Sequence, residues 1–329
     1  MKANIAIAVL AGIAAAVLFV FAMTGALAAR ILLLILVTVP IALTGFSYNA
    51  ATAFAAVVIG LVGVFGLFKL PAVLLYAMTA VPVAGLVYLA LLKREDDDNV
   101  EWYPVGRVIF AAAIISGALF ALTVLPLASD ADAFRTSIRS AMELAVKQGM
   151  AGLPPETALT PDQLNQLTDI LIVVLPAAGG AMVLFSLLGS LWLGAQVARA
   201  AGTLVRPWPD IAAFRFPPGA PILLAVSLLG AAWLEGPAQS LALSFAGAFF
   251  GAYMLLGLAV AHFTTRGKFW RTPALVALYV TLIANPAVAL LVAMVGVADS
   301  VFPLRRGADE ASPPETRDGP RPGAGPGQI

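Results

Sequence analysis

The stretch ILLLILVTVPIALTGFSYNAATAFAAVVIGLVGVFGLF, residues 31–68, contains no charged side chain. A helix that rises ~1.5 Å per residue needs about 20 apolar residues to cross the ~30 Å hydrocarbon core of a bilayer. The stretch is too long for one such span, and residues 45–49, GFSYN, have the composition of a turn. We therefore predict two short transmembrane helices that meet at this turn.

Similar charge-free runs divide most of the chain. They cover residues 70–92, 108–129, 170–198, 216–234 and 236–265. Apolar residues occupy consecutive positions in these runs, whereas the strands of an outer-membrane barrel alternate apolar and polar residues. The predicted fold class is therefore all-α, a polytopic transmembrane helix bundle of about 8–10 spans, some of them short or broken. Besides the pair within residues 31–68, the predicted spans are 5–27, 71–92, 108–127, 220–234, 239–263 and 273–302. One further span lies in the helix that opens at residues 160–163 and continues to about Ala200.

The composition agrees with a membrane protein and excludes several kinds of site. Hydrophobic residues make up 61% of the chain and charged residues 11%, and the net charge is +1. Such a small net charge gives no field to attract nucleic acid, so we predict no nucleic-acid partner. The chain has no cysteine and one histidine, His262, which excludes thiolate metal sites and any site of two imidazoles. We predict no metal and no cofactor.

The N-terminal segment is predicted to be a retained span. Lys2, the apolar run after it and the small residues at 26–28 resemble a secretory signal peptide. The run from Ala3 to Ala29 exceeds the ~7–15 apolar residues of a signal peptide, however. It also leads past Arg30 directly into another apolar stretch.

Residues 129–168 form the main predicted extramembrane insertion. Phe134, Ile138 and Met142 recur at every fourth position, which predicts one amphipathic extramembrane helix, on the membrane surface or against the bundle. Thr160 and Gln163 flank a proline and an aspartate. This pattern predicts a capping box that starts the next helix.

The basic loops predict an orientation in the bacterial inner membrane. With the N-terminus in the cytoplasm, the loops at 93–107, 199–215 and 266–271 lie on the same side. That side then carries ten Lys and Arg residues and the opposite side carries five. Because positive charge accumulates in cytoplasmic loops, we predict a multi-pass protein with a cytoplasmic N-terminus.

The C-terminal apolar segment, 273–302, allows two topologies. A single crossing would leave Arg305 outside, whereas a hairpin broken at Asn285-Pro286 would return it to the cytoplasm, and the basic-residue argument favours the hairpin. The predicted membrane domain covers residues 1–306. Residues 307–329 are rich in proline, glycine and charge and are predicted to form a disordered cytoplasmic tail.

Catalytic motifs are missing from the sequence. It has no phosphate-binding loop, HExxH motif or serine elbow, so we predict that the chain is not an enzyme. An intramembrane enzyme is the third-ranked alternative. It would use Glu235, His262 and Asp299, which lie in separate segments with no sequence reason to converge.

Small residues recur at four-residue spacing in two predicted spans. They are Ala8, Gly12 and Ala16 in the first, and Gly247 and Gly251 near the end of the chain. Such stripes serve either as docking faces for a partner membrane protein or as close packing within one bundle, and we favour packing.

Two sets of residues are candidates for function. The first lies in the predicted cytoplasmic loops, where the side chains could pair with one another, anchor span ends, or meet a lipid headgroup or protein partner. Its members are Glu101, Trp102, Tyr103, Arg107, Arg206, Trp208, Asp210 and Arg266. The second set lies at predicted membrane depth, where a polar group has either a function or a satisfied place near the interface. Its members are Tyr253, His262, Asn285 and Asp299.

Several loop and helix motifs follow one another in a distinctive order. They are EWYP at 101–104 with Gly106-Arg107, RPWPD at 206–210, GLAVAHF at 257–263 with Arg266-Gly267, and the segment 296–306. From the first span to about Arg306, this order and spacing resemble the YybS-like family of predicted bacterial membrane proteins, a domain-of-unknown-function family. That family is remotely similar to the substrate-binding membrane subunits of energy-coupling-factor transporters. The resemblance implies a helical bundle with a ligand pocket that opens outward.

These patterns lead to one functional hypothesis and one alternative. The hypothesis is an integral inner-membrane protein that serves as a transporter-like substrate-binding or transport-associated component. The alternative is a structural or assembly factor of the cell envelope that acts through protein partners. The predicted partners are the lipid bilayer and, as an open choice, another membrane or cytoplasmic protein subunit. The sequence names no small-molecule ligand.

Overall fold

Helices dominate the computed structural model, which describes residues 2–24, 33, 35–96, 99–149, 160–302 and 304–305. In chain order the elements are α1 Lys2–Thr24, α2 Val39–Ser47, α3 Ala50–Leu67, α4 Leu70–Leu91, β1 Lys93–Asp96, β2 Asn99–Trp102, α5 Val105–Ala128, α6 Ala131–Gly149, α7 Pro161–Ala200, a 3-10 turn Ile211–Ala213, α8 Ala220–Trp233, α9 Gly236–Thr264, α10 Arg271–Ala284 and α11 Ala287–Val301.

Six of the described helices are long and apolar enough to cross a membrane, namely α1, α3, α4, α5, α7 and α9. Four shorter apolar helices accompany them: Ile35–Ser47, which includes α2, and α8, α10 and α11. This architecture confirms the prediction of an all-α polytopic bundle with some short spans. The predicted tail at 307–329 lies outside the described residues.

The predicted break near residue 48 separates α2 from α3. Asn49 has an extended backbone and caps α3, because its side-chain oxygen accepts a 3.0 Å hydrogen bond from the backbone N–H of Thr52. An asparagine at this position satisfies a helix N-terminus that would otherwise lack partners. The turn therefore lies where its composition predicted it.

A β-hairpin occupies the charged segment after α4, where the sequence predicted only a solvated run. Strands β1 and β2 pair antiparallel, with Lys93 opposite Trp102 and Arg94 opposite Glu101. Every residue of β1 is exposed. All four residues of β1 are charged, and the alternation of polar and apolar residues in β2 covers only four positions, so the pair lacks a strong strand signal.

The predicted amphipathic helix α6 packs against the bundle. Phe134 and Ile138 are buried in a small cluster with Val124 and Ala128 of α5. The next helix starts at the predicted capping box, in which the side chain of Gln163 accepts a 2.9 Å hydrogen bond from the N–H of Thr160. Helix α7 then continues past Pro176 to Ala200.

Helices α7 and α9 cross closely at the centre of the bundle. A Cβ atom on Gly247 would lie 1.8 Å from the carbonyl oxygen of Ala177, and one on Gly180 would lie 2.0 Å from that of Ser244. Gly12 of the first stripe meets α3 in the same way, 2.6 Å from the carbonyl oxygen of Ala56. The small residues therefore allow close packing inside the bundle, as small residues do between membrane helices.

The C-terminal segment is split at Asn285-Pro286 into α10 and α11. The side-chain oxygen of Asn285 accepts a 3.0 Å hydrogen bond from the N–H of Ala287 and so caps the second helix. Beyond α11, Arg305 hydrogen-bonds to the loop at 201–219. That loop also pairs through Asp210 with Arg266, which precedes α10. The segment therefore begins and ends at the same end of the bundle, which is the geometry of the hairpin alternative.

Candidate functional site

An apolar cavity of about 660 Å³ lies at the end of the bundle that carries the β-hairpin, residues 201–219 and residues 265–270. We call this end the loop end and residues 201–219 the cover loop. The cavity walls include Phe185 and Trp192 of α7 and Leu258 of α9. The cover loop contributes Leu204, Arg206, Trp208 and Phe214, among others. Sites that bind small molecules usually have volumes of ~300–1,000 Å³, so this cavity is the candidate site.

Two aromatic residues of the cover loop anchor it in the bundle. Phe214 and Phe216 lie 5.5 Å apart, and Phe216 packs edge-on against Tyr253 at 5.2 Å. Phe216 also lies 5.8 Å from Phe110 of α5. Because these rings fill the bundle beside the cavity, they fix the position of the loop above it.

Hydrogen bonds to backbone carbonyls tie the first part of the cover loop to neighbouring elements. The N–H of Val205 donates a 2.9 Å hydrogen bond to the carbonyl of Phe46, at the end of α2. Arg206 donates through Nη1 to the carbonyls of Ala90 at 2.8 Å and Tyr103 at 3.5 Å. The loop is thus fastened to the ends of α2, α4 and the β-hairpin.

Arg206 is a buried cation with unused hydrogen-bonding capacity. The residue is 9% exposed, lines the cavity, and has its guanidinium 5.7 Å from the ring of Trp102. Its Nε is buried and has no hydrogen-bond partner. No carboxylate of the described residues forms an ion pair with it. Burial lowers the pKa of Arg206 below its ordinary value, although a guanidinium stays charged at neutral pH.

Arg305 is more deeply buried, and each of its three side-chain nitrogens donates a hydrogen bond. It is 2% exposed and Asp299 is 6% exposed. Its Nε lies 3.1 Å and 3.2 Å from the two carboxylate oxygens of Asp299, and Nη2 also donates to that carboxylate. Nη1 and Nη2 donate to the carbonyls of Ala212 at 2.8 Å and Phe214 at 2.9 Å. This pair joins the end of α11 to the cover loop.

Asp210 and Arg266 form an ion pair between two separate loops. Nη1 of Arg266 donates a 2.8 Å hydrogen bond to Asp210, and Nη2 donates a second one. These hydrogen bonds hold the pKa of Asp210 below its ordinary value and raise that of Arg266. Both side chains are substantially exposed, so the pair adds little stability.

His262 and Tyr279 close the cavity beside α10. Nε2 of His262 and the hydroxyl of Tyr279 lie 2.8 Å apart, and both residues line the cavity. No residue of α10 is buried, so this helix packs loosely. The hydrogen bond is therefore a specific link between α10 and the last turns of α9.

The other predicted loop residues surround the β-hairpin and the cover loop. Glu101 is exposed on β2, and the ring of Trp102 lies 5.9 Å from the ammonium group of Lys93 and 5.7 Å from the guanidinium of Arg206. Arg107 is exposed and stacks on the ring of Tyr103 at 5.9 Å. Trp208, which lines the cavity, lies beneath Arg199 at 4.7 Å.

The residues considered for an intramembrane enzyme do not all come together. Glu235 precedes α9 and His262 lies near its end, so the helix separates them by about 40 Å at ~1.5 Å per residue. Asp299 is occupied by Arg305. Of the other candidates at membrane depth, Tyr253 is a fully buried packing residue and Asn285 is an exposed helix cap.

Sequence reasoning missed three participants in the site. Tyr279 has no local signal, because His262 is 17 residues away in the chain. The carbonyl partners of Arg305 are 93 and 91 residues away, and only its acid, Asp299, is near in sequence. Phe214 lies in a segment read only as a polar loop. Its neighbour Phe216, two positions on, was the available hint, since two aromatic residues at that spacing can insert on one side of an extended segment.

Metal binding has no obvious place in the described part of the chain. There, no group of three or more His, Cys, Asp or Glu side chains could hold an ion. The polar groups that line the cavity can instead recognise a ligand through charge and hydrogen bonds, and Arg206 carries the charge.

Comparison with known proteins gives the family. A family described as "Predicted membrane protein (DUF2232)" matches residues 12–300, and the chain belongs to this family. No curated protein and no solved structure matches the chain. With its several apolar helices, the chain is a multi-pass membrane protein. The likeness to energy-coupling-factor subunits stays a prediction.

Proposed function

We propose that this member of the DUF2232 family binds a small molecule in the cavity under the cover loop and serves as a transporter-like substrate-binding component. The cavity itself is the observation that carries the proposal. It is largely apolar, measures about 660 Å³ and lies between helices that are long enough to cross a membrane. Pockets between the helices of a bundle are common ligand sites.

The fastening of the cover loop supports a preformed pocket. Ties to α2, α4, the β-hairpin and α11 hold the loop on several sides. A pocket that is ordered before binding loses less conformational entropy when the ligand enters. The ties therefore favour a binding site over a chance gap between helices as the explanation of the cavity.

The position of the cavity bears on the side of the membrane from which a ligand would enter. The loop end carries the basic loops, which the distribution of Lys and Arg predicts to be cytoplasmic. The resemblance to energy-coupling-factor subunits implies a pocket that opens outward. We therefore propose a site that faces the cytoplasm or the inner half of the bilayer, unlike the site of those subunits.

A cavity-filling variant tests the proposal. Ala195 lines the cavity and Ala178 lies exposed on the same helix. Native mass spectrometry of the protein, purified from its expression host in a mild detergent, should detect a co-purified small molecule. A195W should lose it and A178W should keep it. If no bound molecule is detected, or if A195W retains it as well as A178W does, the proposal is wrong.

The alternative, an assembly factor of the cell envelope, has one observation in its favour. The β-hairpin is exposed along β1 and offers charged side chains, including Lys93 and Glu95. Photo-crosslinkers at exposed positions of the hairpin and the cover loop distinguish the two functions. Discrete protein adducts that persist in A195W would favour the assembly factor.

A further inference from the structure

Two buried arginines lie in contact with the cover loop or within it, and they differ in one respect. Arg305 meets a carboxylate and two carbonyls. Arg206 meets two carbonyls and the face of Trp102, while its Nε has no partner. An arginine side chain has five N–H donors and a permanent charge. Burying such a charge without an anion is costly, which makes Arg206 the unbalanced group of the loop end.

We propose that Arg206 binds the anionic group of a single-chain amphiphile whose apolar part fills the cavity. This inference rests on the proposed function and names its ligand class. A phosphate or carboxylate oxygen in the cavity would supply the missing negative charge to the guanidinium of Arg206, which lines the cavity and has a donor without an acceptor. Charge-assisted hydrogen bonds of arginine to such oxygens are among the strong polar contacts of proteins.

Other polar groups at the site do not compete for this role. His262 and Tyr279 hydrogen-bond to each other at 2.8 Å. Asp210, the nearest acid in sequence, is occupied by Arg266. Arg206 is therefore the free cation among the described residues that line the cavity.

The rest of the cavity favours an apolar chain over a compact anion. Its walls are mostly Leu, Ile, Val, Ala and aromatic side chains. Phe185 and Trp192 also count among the exposed apolar residues of α7, a candidate membrane span. A ligand that enters from the bilayer could place its chain along this wall. Burying apolar surface would add the non-specific part of its affinity.

The test compares probes that separate the contribution of the anionic head group from that of the apolar chain. Dodecyl phosphate and 1-dodecanol share one chain, and inorganic phosphate supplies the anion alone. Each is titrated against delipidated full-length protein in an uncharged detergent and followed by native mass spectrometry. Wild type should bind dodecyl phosphate at least about tenfold more tightly than dodecanol, since a hydrogen bond to a charged group contributes about 1.5–3 kcal/mol.

Three arginine variants test which side chain causes the preference for dodecyl phosphate over 1-dodecanol. R206Q should bind both dodecyl probes alike, and R206K, which keeps the charge, should retain most of the preference. Arg199 is exposed, stacks on Trp208 and does not itself line the cavity, so R199Q should behave as wild type. If R206Q keeps the preference, or R199Q loses it equally, the inference is overturned.

The remaining outcomes separate this inference from the proposed function. If inorganic phosphate binds as tightly as dodecyl phosphate, the site binds free anions and the proposal of an amphiphilic ligand is wrong. If A195W leaves the binding of every probe unchanged, the cavity is not the site and the proposed function fails with it. If A195W abolishes binding while R206Q leaves the preference for dodecyl phosphate unchanged, the cavity binds a ligand but Arg206 does not determine its selectivity, and this inference is wrong.

Discussion

Asp210 follows Arg206 by four residues, yet its carboxylate pairs with Arg266 and leaves Arg206 without an acid. Two acid–base pairs of the loop end hold the cover loop: Arg266 pairs with its Asp210, and Arg305, paired with Asp299, donates to its carbonyl groups. Arg206, which lines the cavity, has no carboxylate partner among the described residues. The three arginines thus differ in whether a carboxylate meets their charge.

Breaking the buried pair should destabilise the protein strongly. In D299N, the guanidinium of Arg305 would remain buried without a counter-charge, which costs about 3–5 kcal/mol of unfolding free energy. The matched control is D210N, whose pair is exposed and should contribute no more than about 1 kcal/mol. Unfolding of both variants is followed by heating in detergent. Equal losses would contradict the different burial of the two pairs.

The close contact between α3 and α4 gives a second stability prediction. A Cβ atom on Gly60 would lie 1.9 Å from the hydroxyl oxygen of Tyr76, so G60A should lose about 1–3 kcal/mol through overpacking. Gly66, on the same helix, has no neighbour within 4 Å of its Cβ position. G66A should therefore be neutral or slightly stabilising. Thermal melts of the two variants should shift in different directions or by clearly different amounts.

Acid should weaken the tie between the cover loop and Arg266. Because the folded-state pKa of Asp210 lies below its ordinary value, the pair stabilises fully above the unfolded pKa of about 3.9. That stabilisation is lost as the pH falls through the folded pKa. The protection factors of the backbone amides at residues 208–214, which correct exchange rates for the intrinsic effect of pH, should thus fall below about pH 4 in wild type. D210N should show the lower protection already at pH 7, and protection that does not change further in D210N on acidification is the diagnostic result.

Loss of the link between α9 and α10 should loosen α10. Y279F removes the hydroxyl that contacts His262, and no residue of α10 is buried to compensate. Amide exchange over residues 271–284 should increase, whereas exchange in α9 should stay unchanged. T281V, which removes only a hydrogen bond to Ala277 within α10, is the control. An equal effect of T281V would show that the helix loosens for local reasons.

Cysteine labelling tests the orientation without background, because the chain contains no cysteine. Ala201 is exposed at the loop end and Ser137 is exposed on α6. If the basic loops are cytoplasmic, a membrane-impermeant maleimide should label S137C in intact spheroplasts and A201C only after lysis. The reverse pattern would place the cavity on the outer side.

The sequence by itself determined the class of fold and the positions of most breaks. Charge-free runs long enough to cross a bilayer are expected to form helices, because lipid offers no hydrogen-bond partner for backbone groups and a helix pairs them internally. The break at Asn49, the capping box at Thr160 and the interruption at Asn285 could be predicted because a helix end is decided by a few neighbouring residues. The β-hairpin escaped prediction, since β1 consists of charged residues and the alternation in β2 is only four residues long.

The candidate site was decided by the tertiary structure alone. Sequence placed Arg206, Asp210 and Arg266 in the same set of loop residues, but it could not say which of them pair. Pairing depends on where α9, α11 and the cover loop meet, and Arg305 reaches its carbonyl partners across more than 90 residues of chain. Long-range contacts of this kind follow from packing, which determines both the cavity and which buried arginine of the described residues lacks a carboxylate partner.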